Sequence, residues 1–211
     1  MKTVLGDIRR ADEDFEMIAP GDRVAVGVSG GKDSLLLLYA LSLYRKFEHK
    51  NFELRGIMLD MGFEAFDASP VMRWCEELNI PFEVIQTDIA KVVFDLRKEN
   101  NPCSLCAKMR RGALNDAAKR LGCNKVALGH HREDAIETLM MSLIFEGRLH
   151  TFHPNMFLLD ADVTVIRPMV YVPEKHVIHV ARRLNLPVVH NPCPMGGHSR
   201  RQEIKQLIAS M

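Results

Sequence analysis

Residues 24–34 read Val-Ala-Val-Gly-Val-Ser-Gly-Gly-Lys-Asp-Ser, and four leucines follow them at 35–38. The apolar, β-branched first half predicts a buried strand, and the run after Lys32 predicts a helix. Gly30 and Gly31 lack a Cβ, so the backbone between strand and helix can turn sharply and an anion can approach its N–H groups. The unpaired N–H groups and positive dipole end of the following helix face the same place. The stretch therefore predicts a phosphate site, best matched to the pyrophosphate of ATP.

The motif is distinct from two other phosphate-binding patterns. It lacks the spacing of a Walker loop and the Gly-x-Gly-x-x-Gly of dinucleotide-binding folds. Ser-Gly-Gly-Lys-Asp-Ser instead resembles the PP-loop of adenylating ATP pyrophosphatases, which cleave ATP between the α and β phosphates and pass AMP to a substrate oxygen. The alternative is an ordinary strand-to-helix turn. The candidate nucleotide-binding residues of the loop are Ser29, Gly30, Gly31, Lys32, Asp33 and Ser34.

Composition favours a single α/β domain. The chain has 211 residues, 47% of them apolar, which is enough to build a core. Lys and Arg number 28 against 27 Asp and Glu, so the net charge of +1 does not by itself point to a nucleic-acid partner, and such a partner would need a local basic patch. We see no secretory leader and no apolar run near the ~20 residues of a membrane span, and therefore expect a cytoplasmic protein without a membrane partner.

Strand-like and helix-like runs alternate along the chain. The pattern predicts strands at 23–28, 54–59, 82–86, 125–128, 164–168 and 187–190, and helices at 32–47, 68–77, 89–99, 105–121, 132–145, 174–183 and 199–209. The alternation is typical of a doubly wound parallel α/β sheet, here of about five strands with helices on both faces. We expect a helical segment at 1–19, one domain at 20–211 and a long loop at 147–162.

Three cysteines form the second candidate site. A proline opens a predicted helix, so Cys103 and Cys106 face the same way in its first turn, where the helix dipole lowers thiol pKa values. Cys193 lies far away in Asn-Pro-Cys-Pro. Spacing alone leaves open a [4Fe–4S] cluster with one open iron, a zinc site completed by a histidine, and a redox or persulfide thiol pair. The candidate histidines are His190 and His198. The other two cysteines, Cys75 and Cys123, are expected to be structural.

Several blocks together resemble the TtcA family, the tRNA 2-thiocytidine synthetases of the PP-loop superfamily. They are residues 9–23, Cys-Ser-Leu-Cys with Met-Arg-Arg-Gly within 103–112, Ala-Leu-Gly-His-His-Arg-Glu-Asp at 127–134, Ile-Arg-Pro-Met-Val-Tyr at 166–171, Pro192-Cys193 and Arg201-Gln202. These blocks match the family in order and spacing over residues 7–208. The chain departs from the family at Gly196, where relatives often show a second late cysteine, and in its tail sequence Gly-Gly-His-Ser.

The resemblance implies the cofactors and partners. It implies a [4Fe–4S] cluster held by Cys103, Cys106 and Cys193, together with ATP and Mg²⁺. It also implies a tRNA substrate, thiolated on a cytidine of the anticodon loop. Homodimers are common among relatives, and the sulfur donor would be sulfide or the persulfide of a cysteine desulfurase.

Further polar residues follow predicted strands and complete the candidate nucleotide site. They are Asp60, Gly129, His130 and Asp134. Asp33 and Asp134 are candidate Mg²⁺ ligands, because Mg²⁺ prefers oxygen, although either could instead cap a helix. Arg167 could offset phosphate charge or pair with a carboxylate.

The expected reaction replaces a pyrimidine C2 oxygen with sulfur. The loop N–H groups, with Ser29 and Lys32, would stabilise charge on the β and γ phosphates while AMP is transferred to that oxygen. On the cluster interpretation, a sulfide on the open iron then displaces AMP. The expected catalytic residues are Lys32, Asp33, Cys103, Cys106, Asp134 and Cys193.

Basic side chains suggest where RNA would bind. Helix 105–121 carries a run of them and the tail carries another, and such clusters bind the phosphate backbone. The expected RNA-binding residues are Lys108, Arg110, Arg111, Arg200 and Arg201, with Lys119, Arg120 and Lys205 nearby. The alternative is a solvated charged face.

Three other functions remain open from the sequence. The first is formation of 2-thiouridine rather than 2-thiocytidine. The second is a PP-loop amidotransferase or ligase, which would have no use for the three cysteines. The third is a non-catalytic module that binds a nucleotide or an iron–sulfur cluster.

Overall fold

The computed structural model describes residues 1–47, 50–64, 66–97, 102–189, 192–194 and 200–210, apart from the side chains of Phe47 and Ala209. The strands are β1 Arg23–Val28, β2 Glu53–Asp60, β3 Phe82–Gln86, β4 Lys125–Ala127, β5 Asn155–Leu158 and β6 Val163–Ile166. The helices are α1 Lys2–Phe15, α2 Lys32–Phe47, α3 Ser69–Glu77, α4 Pro102–Arg120, α5 Arg132–Glu146, α6 Glu174–Arg183 and α7 Arg200–Ser210, and a π-helix spans Lys91–Arg97.

The strands of the described residues form one mostly parallel sheet. Their order is β3-β2-β1-β4-β6-β5, and the pairs among the first five strands of this order are parallel. The reversal of strand order beside β1 is the switch point at which such sheets bind ligands. The predicted doubly wound α/β fold is therefore confirmed.

Alternating side chains of β1 show how helices cover both faces of the sheet. Val24, Val26 and Val28 are buried in one cluster with the leucines of α2. Ala25 points the other way and is buried with Ala117 and Ala118 of α4. A strand covered on both faces must be apolar throughout, which explains the unbroken apolar run before the glycine loop.

Three predicted elements differ in the structure. Residues 147–162 were expected to be loop, but β5 lies within them and pairs antiparallel with β6, which makes six strands rather than about five. The helix expected at 89–99 is largely the π-helix Lys91–Arg97, and 98–99 lie outside the described residues. The strand expected at 187–190 is absent from 187–189, where Val189 N instead donates to Gly30 O at 3.1 Å, and His190 is not described.

A buried carboxylate holds α1 against the domain. Asp12 is fully buried and accepts hydrogen bonds from Ile18 N at 2.7 Å and Tyr44 Oη at 2.6 Å, and it pairs with Lys50. A buried charge requires such partners. Among the described residues, no helix is both long and apolar enough to cross a membrane.

Candidate active site

The glycine loop lies at the carboxyl end of β1 and is held by its own hydroxyl groups. Ser29 N donates to Ser34 Oγ at 3.1 Å, and Ser34 Oγ lies 3.0 Å from the Gly31 carbonyl, to which it donates. Gly30 has φ +82°, a left-handed conformation that side chains rarely adopt. The loop is thus shaped before any ligand binds, with its backbone turned around the start of α2.

Lys32 begins α2 and joins a chain of charges. Its Nζ lies 2.9 Å from Asp33 Oδ1 and 3.6 Å from Glu174 Oε1 at the start of α6. Lys205 of α7 also binds Glu174, at 2.7 Å. Burial acts to raise the pKa of Glu174, but the hydrogen bond and charge of Lys205 and the charge of Lys32 outweigh it, so this pKa is lowered. Glu174 therefore stays ionised between the two lysines.

The turn from β4 into α5 packs directly on the loop. A Cβ on Gly129 would lie 3.0 Å from the backbone of Asp33 and Ser34, so a larger residue here would push the turn and the loop apart by a few tenths of an ångström. Asp134 Oδ2 accepts a hydrogen bond from His131 N at 2.9 Å, as expected for a helix cap. Its other oxygen, Oδ1, accepts one from Arg201 at 2.8 Å. Asp134 thus caps α5 and also binds α7.

Arg201 lies inside this network. Its guanidinium also reaches Glu137 Oε2 at 3.4 Å and Thr138 Oγ1 at 3.2 Å. Burial raises the pKa of Glu137, and the charge of Arg201 opposes that shift. In this structure the guanidinium of Arg201 binds α5, and its contact with RNA stays a prediction.

Arg167 and His130 form a second polar pair, beyond the end of β4. Arg167 Nε donates to His130 Nδ1 at 3.3 Å, and the guanidinium lies 4.8 Å from the centroid of the Phe152 ring. The His130 ring lies 5.0 Å from that ring. Burial lowers the pKa of His130 to about 4, and the charge of Arg167 adds to the shift. Burial also lowers the pKa of Arg167 to about 10, with a contribution from Arg111.

Two of the predicted cluster cysteines, Cys103 and Cys193, act electrostatically on the third, Cys106. Cys103 is exposed and Cys106 is buried in the first turn of α4, and Cys193 is half-buried. The pKa of Cys106 is raised, first by burial and then by the charges of Cys193 and Cys103, against the charge of Arg110. The expectation that the helix dipole would lower this pKa is therefore wrong, because burial dominates. The long-range effect of Cys193 on Cys106 places the two thiols in the same region.

The two remaining cysteines lie in the core, as predicted. Cys75 is fully buried, and burial raises its pKa to about 12. Cys123 is buried beside β4. Substitutions of these two core cysteines are therefore suitable controls for substitutions of the three predicted cluster cysteines.

One cavity of about 810 Å³ connects the predicted sites. Its wall includes Ser29, Asp33 and Ser34 of the glycine loop together with Gly129, His130 and Asp134. The wall also includes Ser104 and Ala107, which are sequence neighbours of Cys103 and Cys106, and Pro192, which precedes Cys193; the three cysteines are not themselves among the lining residues. Of the predicted nucleotide-binding residues, Gly30, Gly31, Lys32 and Asp60 do not line this space, and Asp60 Oδ1 instead accepts a hydrogen bond from Gly62 N at 2.8 Å.

The thiol donors suit an iron–sulfur cluster, since soft thiolates favour such centres. Among the described residues, which include Cys103, Cys106 and Cys193, no group of three or more His, Cys, Asp and Glu side chains is placed to hold a metal ion. The two histidines considered for a zinc site, His190 and His198, lie outside the described residues, as does Gly196.

The rim of the cavity is basic. Lys108, Arg110 and Arg111 of α4 are exposed and line it. Arg200 is exposed and lies over the Phe145 ring at 4.7 Å. Lys119 and Arg120, at the other end of α4, pair with Asp162 and Glu83. Within α4, positive charge at the cavity therefore comes from its first turns, and Arg167 adds a further guanidinium to the wall.

Sequence reasoning missed Glu174 and Phe152. Glu174 follows a proline at a predicted helix start, where acidic residues are common, so nothing distinguished it from a capping residue. Phe152 lies in a stretch without periodicity. The contacts of both come from the fold rather than from neighbours in sequence.

Comparison with known proteins agrees with this geometry. The PP-loop domain family matches residues 7–210. A tRNA-cytidine(32) 2-sulfurtransferase of Citrifermentans bemidjiense is 38% identical over 207 residues, which are 97% of this chain and 81% of the relative. The enzyme of the same name from Geobacter sulfurreducens is 37% identical over 213 residues, covering 100% and 83% of the two chains.

Two solved structures are similar to this chain. The U34-tRNA thiolase NcsA from Methanococcus maripaludis, solved with its [4Fe–4S] cluster, has a TM-score of 0.79 and 29% identity, over 97% of this chain and 71% of that one. An NH3-dependent NAD synthetase from Campylobacter jejuni, with a TM-score of 0.55 and 14% identity over 100% and 87% of the chains, shares the fold alone.

The fold and the loop define a PP-loop enzyme of the ATP pyrophosphatase type. The chain belongs to this family and, within it, to the tRNA 2-sulfurtransferases, the group that its sequence resembles.

Proposed function

We propose that the protein uses ATP to replace the C2 oxygen of cytidine 32 in tRNA with sulfur. The observation that carries the proposal is the cavity whose wall includes part of the PP-loop, residues of α4 next to Cys103 and Cys106, and the residue before Cys193. Relatives at 37–38% identity are named for this reaction.

The PP-loop side of the cavity would bind ATP. The N–H groups at the start of α2 and the Ser29 and Ser34 hydroxyls would hold the β and γ phosphates. Lys32 would turn from Glu174 toward the phosphates, because Lys205 already neutralises that carboxylate. Transfer of AMP to the C2 oxygen, with release of pyrophosphate, converts that oxygen into a leaving group.

Asp33 would take part in holding Mg²⁺. Its carboxylate lines the cavity and its salt-bridge partner is the adjacent Lys32, which would move to the phosphates. Asp134 offers fewer lone pairs, because it already accepts hydrogen bonds from His131 and Arg201. We therefore assign Asp33 the larger share of any Mg²⁺ contact.

The cysteine side of the cavity would deliver sulfur. Cys103, Cys106 and Cys193 would hold a [4Fe–4S] cluster, which supplies an iron where sulfide from the donor can be held. The second half-reaction breaks the bond from C2 to the adenylated oxygen, forms a bond from C2 to sulfur and releases AMP, with no change in oxidation state. Lys108, Arg110 and Arg111 at the rim would hold the phosphates of the anticodon arm.

Mass spectrometry of nucleosides tests the proposal. Cluster-loaded protein, ATP, sulfide and unmodified tRNA should yield 2-thiocytidine with about one AMP for each thiolated base, as the two-step scheme requires. Cys103→Ser should abolish the product, and Cys75→Ser, a change in the core, should retain it.

Two other results would contradict the proposal. Formation of 2-thiouridine would instead favour the reaction named for the NcsA neighbour. Release of pyrophosphate with no thiolated nucleoside would favour a different PP-loop reaction.

Mg²⁺, the sulfur donor, a homodimer and a cytoplasmic location stay predictions.

A further inference from the structure

His130 and Arg167 form a hydrogen-bonded pair on the cavity wall that no step above uses. Both side chains line the cavity. Arg167 Nε donates to His130 Nδ1 at 3.3 Å, and a second guanidinium nitrogen donates to the His153 carbonyl. Phe152 packs against both side chains. Because the guanidinium is held at two points and against a ring, it fixes the orientation of the imidazole.

The hydrogen bond also determines where the imidazole carries its proton. Arg167 can only donate, so His130 Nδ1 must accept and carries no proton. Burial and the positive charge of Arg167 keep the ring neutral, as its lowered pKa indicates. A neutral imidazole has one proton, which is therefore on Nε2; we assign this tautomer from the hydrogen-bond network.

The Nε2–H group is available to a ligand. Among the described residues, none accepts a hydrogen bond from it. Gly129 packs against the backbone of Asp33 and Ser34, so His130 stands beside the N-terminus of α2. A fixed, neutral donor next to a phosphate site favours an anionic oxygen and requires no reorganisation when charge develops.

We propose that His130 is a catalytic hydrogen-bond donor and that Arg167 is its positioning residue, which fixes the Nε2–H tautomer so that it donates to a phosphate oxygen in the cavity. The phosphate belongs either to the α position of ATP or to the RNA nucleotide that enters the cavity. The identity of the phosphate rests on the proposed function, whereas the tautomer does not.

Nitrogen NMR of the full-length chain tests the tautomer. The protein has nine histidines, so comparison with His130→Gln identifies the signals of His130. We expect the Nε2–H form in the wild type and, in Arg167→Met, mixed tautomers and a raised His130 pKa. Arg148→Met, which changes an arginine that is 68% exposed, should leave the signals unchanged. An Nδ1–H form in the wild type, or unchanged signals in Arg167→Met, would overturn the proposal. If Arg167→Met does not fold, the nitrogen spectra of Arg167→Lys and of the wild type test the tautomer in its place.

Kinetics then test the donor. His130→Phe should lower kcat roughly 10²-fold, as loss of one oxyanion donor does, and His130→Gln should recover part of it. A slower release of pyrophosphate with unchanged RNA affinity assigns the donor to ATP, and weaker RNA binding with normal pyrophosphate release assigns it to RNA. If neither changes, His130 is not a donor. A wild type that makes no thiolated base would contradict the proposed function but leave the NMR result intact.

Discussion

At the scale of single residues, Gly30 connects the two sites most directly. Its φ of +82° and the hydrogen bond from Val189 N to its carbonyl place the tail over the PP-loop, a few residues before Cys193. A Cβ on Gly30 would lie 2.1 Å from Val189 Cγ2. Any side chain here would therefore strain the loop and displace the tail.

We predict that Gly30→Ala destabilises the protein by at least ~1–2 kcal/mol, the usual cost of a left-handed residue, and weakens ATP binding. Val189→Ala, added to Gly30→Ala, should remove the contact between the two side chains but not the backbone strain, and should therefore recover part of the lost stability. Chemical denaturation measures the stability. Gly112→Ala is the control, because a Cβ there meets no atom within 4 Å; it should stabilise α4 by up to about 1 kcal/mol. Equal effects of both substitutions would contradict the interpretation.

Lys32 gives a second prediction at this scale. Lys32→Met should weaken ATP binding about 10–100-fold, because a charge-assisted hydrogen bond of roughly 1.5–3 kcal/mol is lost. Calorimetric titration with ATP measures the change. Lys175→Met, at an exposed position of α6, should bind ATP normally. Unchanged ATP affinity in Lys32→Met would remove this lysine from the site.

At the scale of elements, α7 is held to the domain by three ion pairs that two of its basic residues make. Arg201 binds Asp134 and Glu137 of α5, and Lys205 binds Glu174 of α6. The tail between Val189 and α7, which carries Cys193, is thus anchored on both sides. We infer that these anchors keep Cys193 near α4.

Removal of one anchor should loosen the tail. Arg201→Ala leaves the buried Glu137 without its cation. We expect the free energy of unfolding to fall by about 1–2 kcal/mol, which is below the full cost of an unpaired buried charge because Arg201 is partly exposed. Hydrogen exchange should increase in α7 and around Cys193. Gln206→Ala, at an exposed position of the same helix, should change neither quantity. Unaltered exchange in Arg201→Ala would show that α7 is held by other contacts.

The elements also show how far the sequence could predict the structure. The strand, glycine loop and helix at 23–47 follow from local residue types, and so do both cysteines in the first turn of α4. β5 has four residues and depends on pairing with β6, so no local pattern indicated it. The contacts of Arg201 and Val189 were not predictable either, because each joins segments distant in sequence. The division into a segment at 1–19 and a domain at 20–211 stays a prediction.

At the scale of the whole molecule, His130 should make stability depend on pH. Its folded pKa is lowered from 6.5 to about 4, first by burial and then by Arg167, while Asp134 opposes this shift and Arg201 and His131 add to it. Between these values the unfolded chain binds a proton that the folded chain does not, so the free energy of unfolding falls as pH decreases from 6.5 toward 4.

Denaturation at several pH values checks this expectation. His130→Gln should show a smaller loss of stability than the wild type across this window. The carboxyl groups with shifted pKa values, which are lowered for Asp22, Asp67, Glu133 and Glu174 and raised for Glu137, are present in both proteins, so their own pH dependence cancels in the difference. Identical pH curves for the two proteins would contradict the buried, neutral state of His130.

Mixing two impaired variants tests whether both half-reactions occur in one cavity of one chain, at an ATP concentration too low for Lys32→Met to bind it. Lys32→Met lacks the ATP contact, and Cys103→Ser lacks a cluster ligand. If activation and sulfur delivery occur in one cavity, an adenylated base cannot pass between chains, and the mixture should form no 2-thiocytidine above the level of either variant alone. Formation of 2-thiocytidine by the mixture at a rate near that of the wild type would show that the two half-reactions occur at separate sites.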